Sequence, residues 1–331
     1  VKSKSWLYAS KFEGEPKLSD FKLVEVDLPE LQNGEFLAEA IFLSVDPYQR
    51  AYMTAYNYPL GSVMIGGQVA KIIDSKNEQF PKGCHVYGQF GWRTHTVVNL
   101  EKNAEFAPYI LPDFGKLPLS LGLGLLGMPG NTAYFGFLEI CRPKSGETVV
   151  VSGAAGAVGS IVGQIAKING CRVIGIAGSD EKCKWLTEEL GFDAAINYKT
   201  ADVECELKAK APDGVDSYFD NVGGKISSIV LHNMNLFGRI SVCGTISNYN
   251  STPELVPDSQ RLFVFKQLSQ EGFIVNRWKS RWIEGIAQLL EWVKEGRIQY
   301  KETITEGFEN QPQALIGMLR GENTGKAIVK V

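Results

Sequence analysis

The sequence predicts an α/β protein, with a doubly wound parallel sheet in one domain and a small all-β barrel in another. Three observations lead there. The chain has 331 residues, which fits two domains at roughly 150 residues each. Residues 1–115 carry short apolar runs broken by turn signals, the pattern of a small β domain. From residue 120 onward, runs with strand and helix periods alternate, as βαβ units do.

In the first region, Phe21–Val26 reads as a strand, and Asn33-Gly34 marks a turn before a strand over Phe36–Leu43. Met64–Ile73 reads as the next strand, and Pro81-Lys82-Gly83 turns the chain into Cys84–Gly88. In the second region, Thr148–Val151 is apolar and largely β-branched, as a strand covered on both faces requires. Ile161, Val162, Ile165, Ala166 and Ile168 have helical spacing, and Val173–Ala177 is the following strand. A helix carrying Trp185, Leu186 and Leu190 stops at Gly191. Ala194–Ile196, Ser217–Phe219 and Ile240–Val242 are further buried strands. Ile283, Ile286, Ala287, Leu290 and Val293 are expected to line a long amphipathic helix. The tail, Lys326–Val331, is a strand that needs a sheet to join, and the first domain offers one.

Composition excludes several functions. Lys plus Arg is 34 and Asp plus Glu is 37, a net charge of −3, which leaves no nucleic-acid footprint. No apolar run approaches the ~20 residues of a membrane helix. The start of the chain lacks the apolar stretch of a signal peptide. Cys84, Cys141, Cys171, Cys183, Cys205 and Cys243 are scattered, with no Cys-x-x-Cys pair, and read as reduced and intracellular, hence a cytoplasmic location. His85, His95 and His232 complete no set of three metal ligands, so no metal site is expected. Neither His85 nor His95 has an evident partner for general-base work.

The strand at Thr148 runs into Gly153-Ala154-Ala155-Gly156-Ala157-Val158-Gly159, which opens a helix. Strand, glycine turn, helix and strand are the context of a dinucleotide fingerprint, here spaced G-x-x-G-x-x-G. A backbone without side chains lets a pyrophosphate approach the helix N-terminus, and Gly159 lets helix and strand pack closely. Sites for NAD carry an acid at the end of the second strand for the ribose 2′-hydroxyl. That end reads Ala177-Gly178-Ser179, with Lys182 shortly after, which favours NADPH and a role for Lys182 at a 2′-phosphate.

Six stretches span almost the whole chain and carry a resemblance. They are Ser44–Arg50, Gly127–Gly136, the glycine turn, Phe219-Asp220-Asn221-Val222-Gly223-Gly224, Gly244–Asn250 and Gly307–Asn310. Together they resemble the zinc-free prostaglandin reductase 1 branch of the medium-chain dehydrogenase/reductase superfamily. The resemblance implies a GroES-like β-barrel over residues 1–122 and 297–331, and a Rossmann domain over 123–296. The segments matching the zinc ligands of other branches, Val45-Asp46-Pro47-Tyr48 and Gly66-Gly67-Gln68, lack those ligands.

By resemblance, NADPH or NADP+ is held by Gly153, Ala155, Gly156, Ala157, Val158 and Gly159 at the pyrophosphate. Lys182 would hold the 2′-phosphate, Tyr198 would border the adenosine, and Asn221 would approach the coenzyme beyond the fourth strand. Cys243, Gly244, Thr245, Ile246, Ser247, Asn248 and Tyr249 would surround the nicotinamide end with Phe273, Ile274 and Val275. Asn323 would reach in from the C-terminal segment. The implied reaction is NADPH-dependent reduction of the conjugated C=C of enones and enals, including 15-oxo-prostaglandins and 2-alkenals, by a homodimer. Negative charge then develops on the carbonyl oxygen, and without a metal it needs a hydrogen-bond donor. A phenol stays protonated near neutral pH, and Tyr249 follows a sheet strand on the ligand-binding edge. Tyr249 is therefore the expected oxyanion donor, assisted by the coenzyme ribose 2′-hydroxyl. Tyr48 and Arg50 are candidate substrate-binding residues, with a structural role as the alternative. Tyr52, Tyr56 and Tyr58 form an aromatic loop over an apolar substrate or simply pack. NADP-dependent oxidation of leukotriene B4, and coenzyme binding without turnover, remain alternatives.

Overall fold

The computed structural model describes residues 1–101 and 107–331. The chain forms two units, Val1–Leu123 with Glu302–Val331, and Gly124–Lys301. In the first unit, β1 (Lys2–Tyr8) and β2 (Phe21–Asp27) make an antiparallel ribbon. A second sheet begins with β3 (Glu35–Val45), and helix α1 (Tyr48–Ala55) follows it. Next come β4 (Gln68–Ser75), β5 (His85–Gly88), β6 (His95–Asn99) and β7 (Tyr109–Ile110). β3 pairs antiparallel with both β4 and β6.

Two expectations need correction here. Met64–Gly67 is not part of a strand, and β4 starts only at Gln68. Gly66 and Gly67 sit where a Cβ would meet Gln49 Nε2 at 2.6 Å and Tyr87 Oη at 3.0 Å, so close approach rather than strand pairing shapes this segment. Tyr52 lies within α1 rather than in a loop, and its ring packs between Tyr48 and Tyr56.

The second unit opens with α2 (Met128–Phe135), which runs into a π-helical turn at Gly136–Cys141. Six strands then alternate with helices: β8 (Thr148–Ser152), α3 (Gly159–Ile168), β9 (Arg172–Ala177), α4 (Asp180–Glu188) and β10 (Ala194–Asn197) form the first half. The second half holds α5 (Val203–Lys210), β11 (Val215–Asp220), α6 (Gly224–His232), β12 (Met234–Val242), α7 (Gln260–Lys266) and β13 (Ser269–Gly272). Every pairing is parallel, in the order β10-β9-β8-β11-β12-β13. This is the doubly wound order 3-2-1-4-5-6, with its switch point between β8 and β11. All five residues of β8 are buried, as a strand covered on both faces should be.

Helix α8 (Trp282–Lys294) closes the second unit with Ile286 buried as expected, but its buried face is rotated away from Ile283 and Ala287. Ile283 is 53% exposed, whereas Trp282, Gly285, Ile286 and Leu289 are buried. Gly285 decides this: a Cβ there would stand 2.1 Å from Asn131 Oδ1 and 3.0 Å from the Phe135 ring, so α2 lies against the glycine face. Residues 297–301 stay with this unit, because Gln164 exchanges two hydrogen bonds with the Gln299 backbone, at 2.9 and 2.7 Å.

The chain then returns to the first unit. β14 (Glu302–Glu306), α9 (Gln311–Leu319) and β15 (Lys326–Lys330) complete it. β15 lies between β14, which is parallel, and β3, which is antiparallel. The result is a mostly antiparallel seven-stranded sheet.

Candidate active site

The glycine turn fits a pyrophosphate. Gly153 takes φ +59, in the left-handed region that a side chain disfavours. A Cβ at Gly159 would lie 2.4 Å from Gly153 O and 2.8 Å from Ala154 Cα, so only glycine lets α3 begin this close to β8. Ala155, Gly156, Ala157 and Val158 form the bend ahead of α3, and Ser160 N and Ile161 N donate back into it, to Gly156 O at 3.2 Å and Val158 O at 3.1 Å.

At the end of β9, Ser179 caps α4 by accepting the Lys182 N–H at 3.2 Å. Lys182 is half-buried. Burial first, then the neighbouring Lys199 ammonium, lower its pKa. Lys199 was not singled out from the sequence, although it follows Tyr198 directly. Tyr198 lays its ring on Gly178, where a Cβ would meet Tyr198 Cε1 and Oη at 3.1 Å. Asp180 is engaged by Asn197 Nδ2 at 2.7 Å.

Across the switch point, Asn221 is fixed by two hydrogen bonds to Ser152: its N–H donates to Oγ at 3.1 Å and its Nδ2 to the carbonyl at 2.8 Å. The segment after β12 hangs from the turn after β11. Cys243 N and Gly244 N donate to Asp220 O, Ile246 N to Asn221 O and Ser247 N to Val222 O, at 2.8–3.3 Å. Ser247 Oγ also donates to Val222 O at 2.6 Å. Asn248 and Tyr249 complete the one-turn bend by donating to Thr245 O and Ile246 O.

Tyr249 Oη accepts the Thr245 N–H at 3.4 Å and stands 3.2 Å from where a Gly244 Cβ would be. A phenol that accepts at its oxygen keeps its own proton free to donate. Burial raises the Tyr249 pKa, the Thr245 N–H opposes this, and the phenol stays protonated at neutral pH. Burial, with the Asp220 charge, also pushes the Cys243 thiol up to about 12, so it is a neutral thiol.

Phe273 is not in a strand; β13 ends at Gly272. Its ring sits on Gly136, where a Cβ would lie 2.3 Å away, and meets the rings of Phe219 and Trp278. Ile274 is exposed and Val275, buried, starts a 3-10 turn.

In the first unit, Tyr48 Oη donates to Gln89 Oε1 at 3.2 Å, and Gln89 Nε2 donates to Tyr87 Oη at 2.8 Å. Burial and the Asp46 charge raise the Tyr48 pKa. Arg50 spends its guanidinium on Thr54 Oγ1 and Gly14 O, at 2.8 and 2.9 Å, and covers the Phe12 ring. These contacts fit the structural alternative for Arg50, although its Nε is buried without a hydrogen-bond partner. Asn323 Nδ2 donates to Gly325 O at 2.8 Å in the turn before β15. His95 has a partner after all, Glu39 at 3.4 Å. Among the described residues no three His, Cys, Asp or Glu side chains cluster to hold a metal.

Two family models match, an N-terminal domain of oxidoreductase over residues 4–105 and a zinc-binding dehydrogenase over residues 157–294. The chain is 54% identical to prostaglandin reductase 1 of Bos taurus, across 100% of this chain and 99% of that protein. The chain belongs to the prostaglandin reductase branch of the medium-chain dehydrogenase/reductase superfamily. It is also 40% identical to the NADPH-dependent curcumin reductase of Escherichia coli K12, across 100% of this chain and 97% of that one. The crystal structure of CurA from Vibrio vulnificus in complex with NADPH superposes with a TM-score of 0.92 at 38% identity, covering 99% of both chains.

Proposed function

We propose that the reductase uses NADPH to reduce the conjugated C=C of α,β-unsaturated ketones and aldehydes, of the class to which 15-oxo-prostaglandins and 2-alkenals belong. The observation that carries this is Tyr249, a protonated phenol held by Thr245 at the ligand-binding edge of a dinucleotide fold. NADPH, when bound, supplies a hydride to the β-carbon of the substrate. The chain does the rest. Gly153, Gly156 and Gly159, with Ala155, Ala157 and Val158, cradle the pyrophosphate, and Lys182 and Lys199 together meet the 2′-phosphate. Tyr198 covers the adenosine side. Asn221, Cys243 to Tyr249 and Phe273 to Val275 form the nicotinamide end, and Asn323 is a further coenzyme-binding residue. Tyr249 donates a hydrogen bond to the carbonyl oxygen, where charge develops, and a proton from solvent then adds to the α-carbon and completes the reduction; Tyr48 is a substrate-binding residue.

Tyr249→Phe tests this directly. With an enone substrate, kcat should fall about 10²–10³-fold, the usual loss for one oxyanion donor, while the Kd for NADPH stays unchanged. Full activity in the variant would refute the assignment. We further propose a cytoplasmic homodimer that pairs through β13, a sheet-edge strand whose four residues are all exposed. A monomer in sedimentation equilibrium would refute that pairing.

A further inference from the structure

Asp220, the last residue of β11, is 2% exposed and enters none of the ion pairs among the described residues. Its Oδ1 accepts from Ser152 Oγ at 3.1 Å and from Tyr218 Oη, Val222 N and Gly223 N at 2.9 Å each. Val222 N–H and Gly223 N–H can only donate, so this oxygen is an acceptor, while the single Tyr218 hydroxyl proton also reaches Ser152 Oγ at 3.0 Å. A buried charge without a counter-ion is costly unless hydrogen bonds replace its water. An asparagine or serine oxygen would accept the same backbone N–H groups without that cost. The fold therefore places an acid, where a neutral acceptor would serve, at the switch point between β8 and β11. The residue also anchors the nicotinamide end, because its carbonyl accepts from Cys243 N at 2.8 Å and Gly244 N at 3.2 Å. Cys243, whose thiol is raised first by burial and then by Asp220, lies directly after that anchor.

Oxidised nicotinamide carries one more positive charge than the reduced form. We propose that Asp220 is a fixed charge that makes the site favour the oxidised coenzyme and so pulls the bound equilibrium toward reduction of the substrate. This rests on the reading that the turns after β11 and β12 hold the nicotinamide end. Asp220 is thus an electrostatic and positioning residue, distinct from the donor Tyr249.

The test is coenzyme binding to the whole chain without substrate. NADPH and NADP+ are titrated calorimetrically into the wild type, Asp220→Asn, Asp220→Ser and Tyr218→Phe. Both neutral variants at 220 should raise the ratio Kd(NADP+)/Kd(NADPH) about tenfold, about 1.4 kcal/mol of lost preference for the oxidised form. Tyr218→Phe removes a donor but keeps the charge, and should leave the ratio at the wild-type value. If the neutral variants move both Kd values together, Asp220 is structural and the proposal fails. A Tyr218→Phe shift as large as that of Asp220→Asn also overturns it. Wild-type protein that binds neither coenzyme would instead overturn the reading of the site itself.

Discussion

Each unit buries one aspartate at the end of a strand, and the two are treated in opposite ways. In the first unit, Asp46 follows β3 and pairs with Lys326, with Oδ1 to Nζ at 2.9 Å and side-chain exposures of 6% and 4%. Lys326 Nζ also donates to Val45 O at 2.6 Å, and Ser44 Oγ reaches the other carboxylate oxygen of Asp46. In the second unit, Asp220 has only neutral donors. The first arrangement cancels its charge and cross-braces β15 to the start of α1. The second has no cation beside it, and on the proposal above it faces the nicotinamide end of the coenzyme. A buried carboxylate with a cation is thus a clamp, and one without is a source of field.

The comparison can be broken at several strengths. Removing the cation should cost most: Lys326→Met leaves Asp46 buried and unpaired, a loss of about 3–5 kcal/mol in denaturant unfolding. Adding Asp46→Leu to that variant should recover most of the loss, and no recovery would mean the cost was never that of an unpaired charge. Asp220→Asn keeps an acceptor for Val222 and Gly223, so unfolding should register only about 1–2 kcal/mol. A loss as large as that of Lys326→Met would make Asp220 a clamp too. The surface pair of Glu15 and Arg320, at 2.8 Å, sets the floor. Arg320→Gln should leave the melting temperature unchanged within error, since exposed pairs contribute little.

Much of this architecture is legible in the sequence because it is written as period and punctuation. The apolar run at Thr148–Val151 and the glycines after it have one good physical explanation, and β8 and the α3 turn follow from it. Face choice is less legible. α8 offers two apolar stripes of similar strength, and the decision between them lies with Gly285 and with Asn131, some 150 residues away in sequence. Arg50 is also ambiguous from sequence, since its structural partners, Gly14 O and Phe12, are remote along the chain. Lys199 was legible in principle, because the residues after β10 meet those after β9 in any doubly wound sheet. Asp220 lies beside Asn221 in Phe219–Gly224, but a sequence does not reveal which charges lack partners.

The placement of β15 between β14 and β3 has a consequence in time. The second unit is one contiguous stretch, Gly124–Lys301, and all its strands emerge from the ribosome before its last helix is complete. The first unit lacks two strands and its Lys326 brace until the final thirty residues are synthesised. During synthesis, where domains generally fold as units in order of emergence, the order here is inverted. The nucleotide fold can finish first, while β3 waits with an open edge and an unpaired Asp46 beside it.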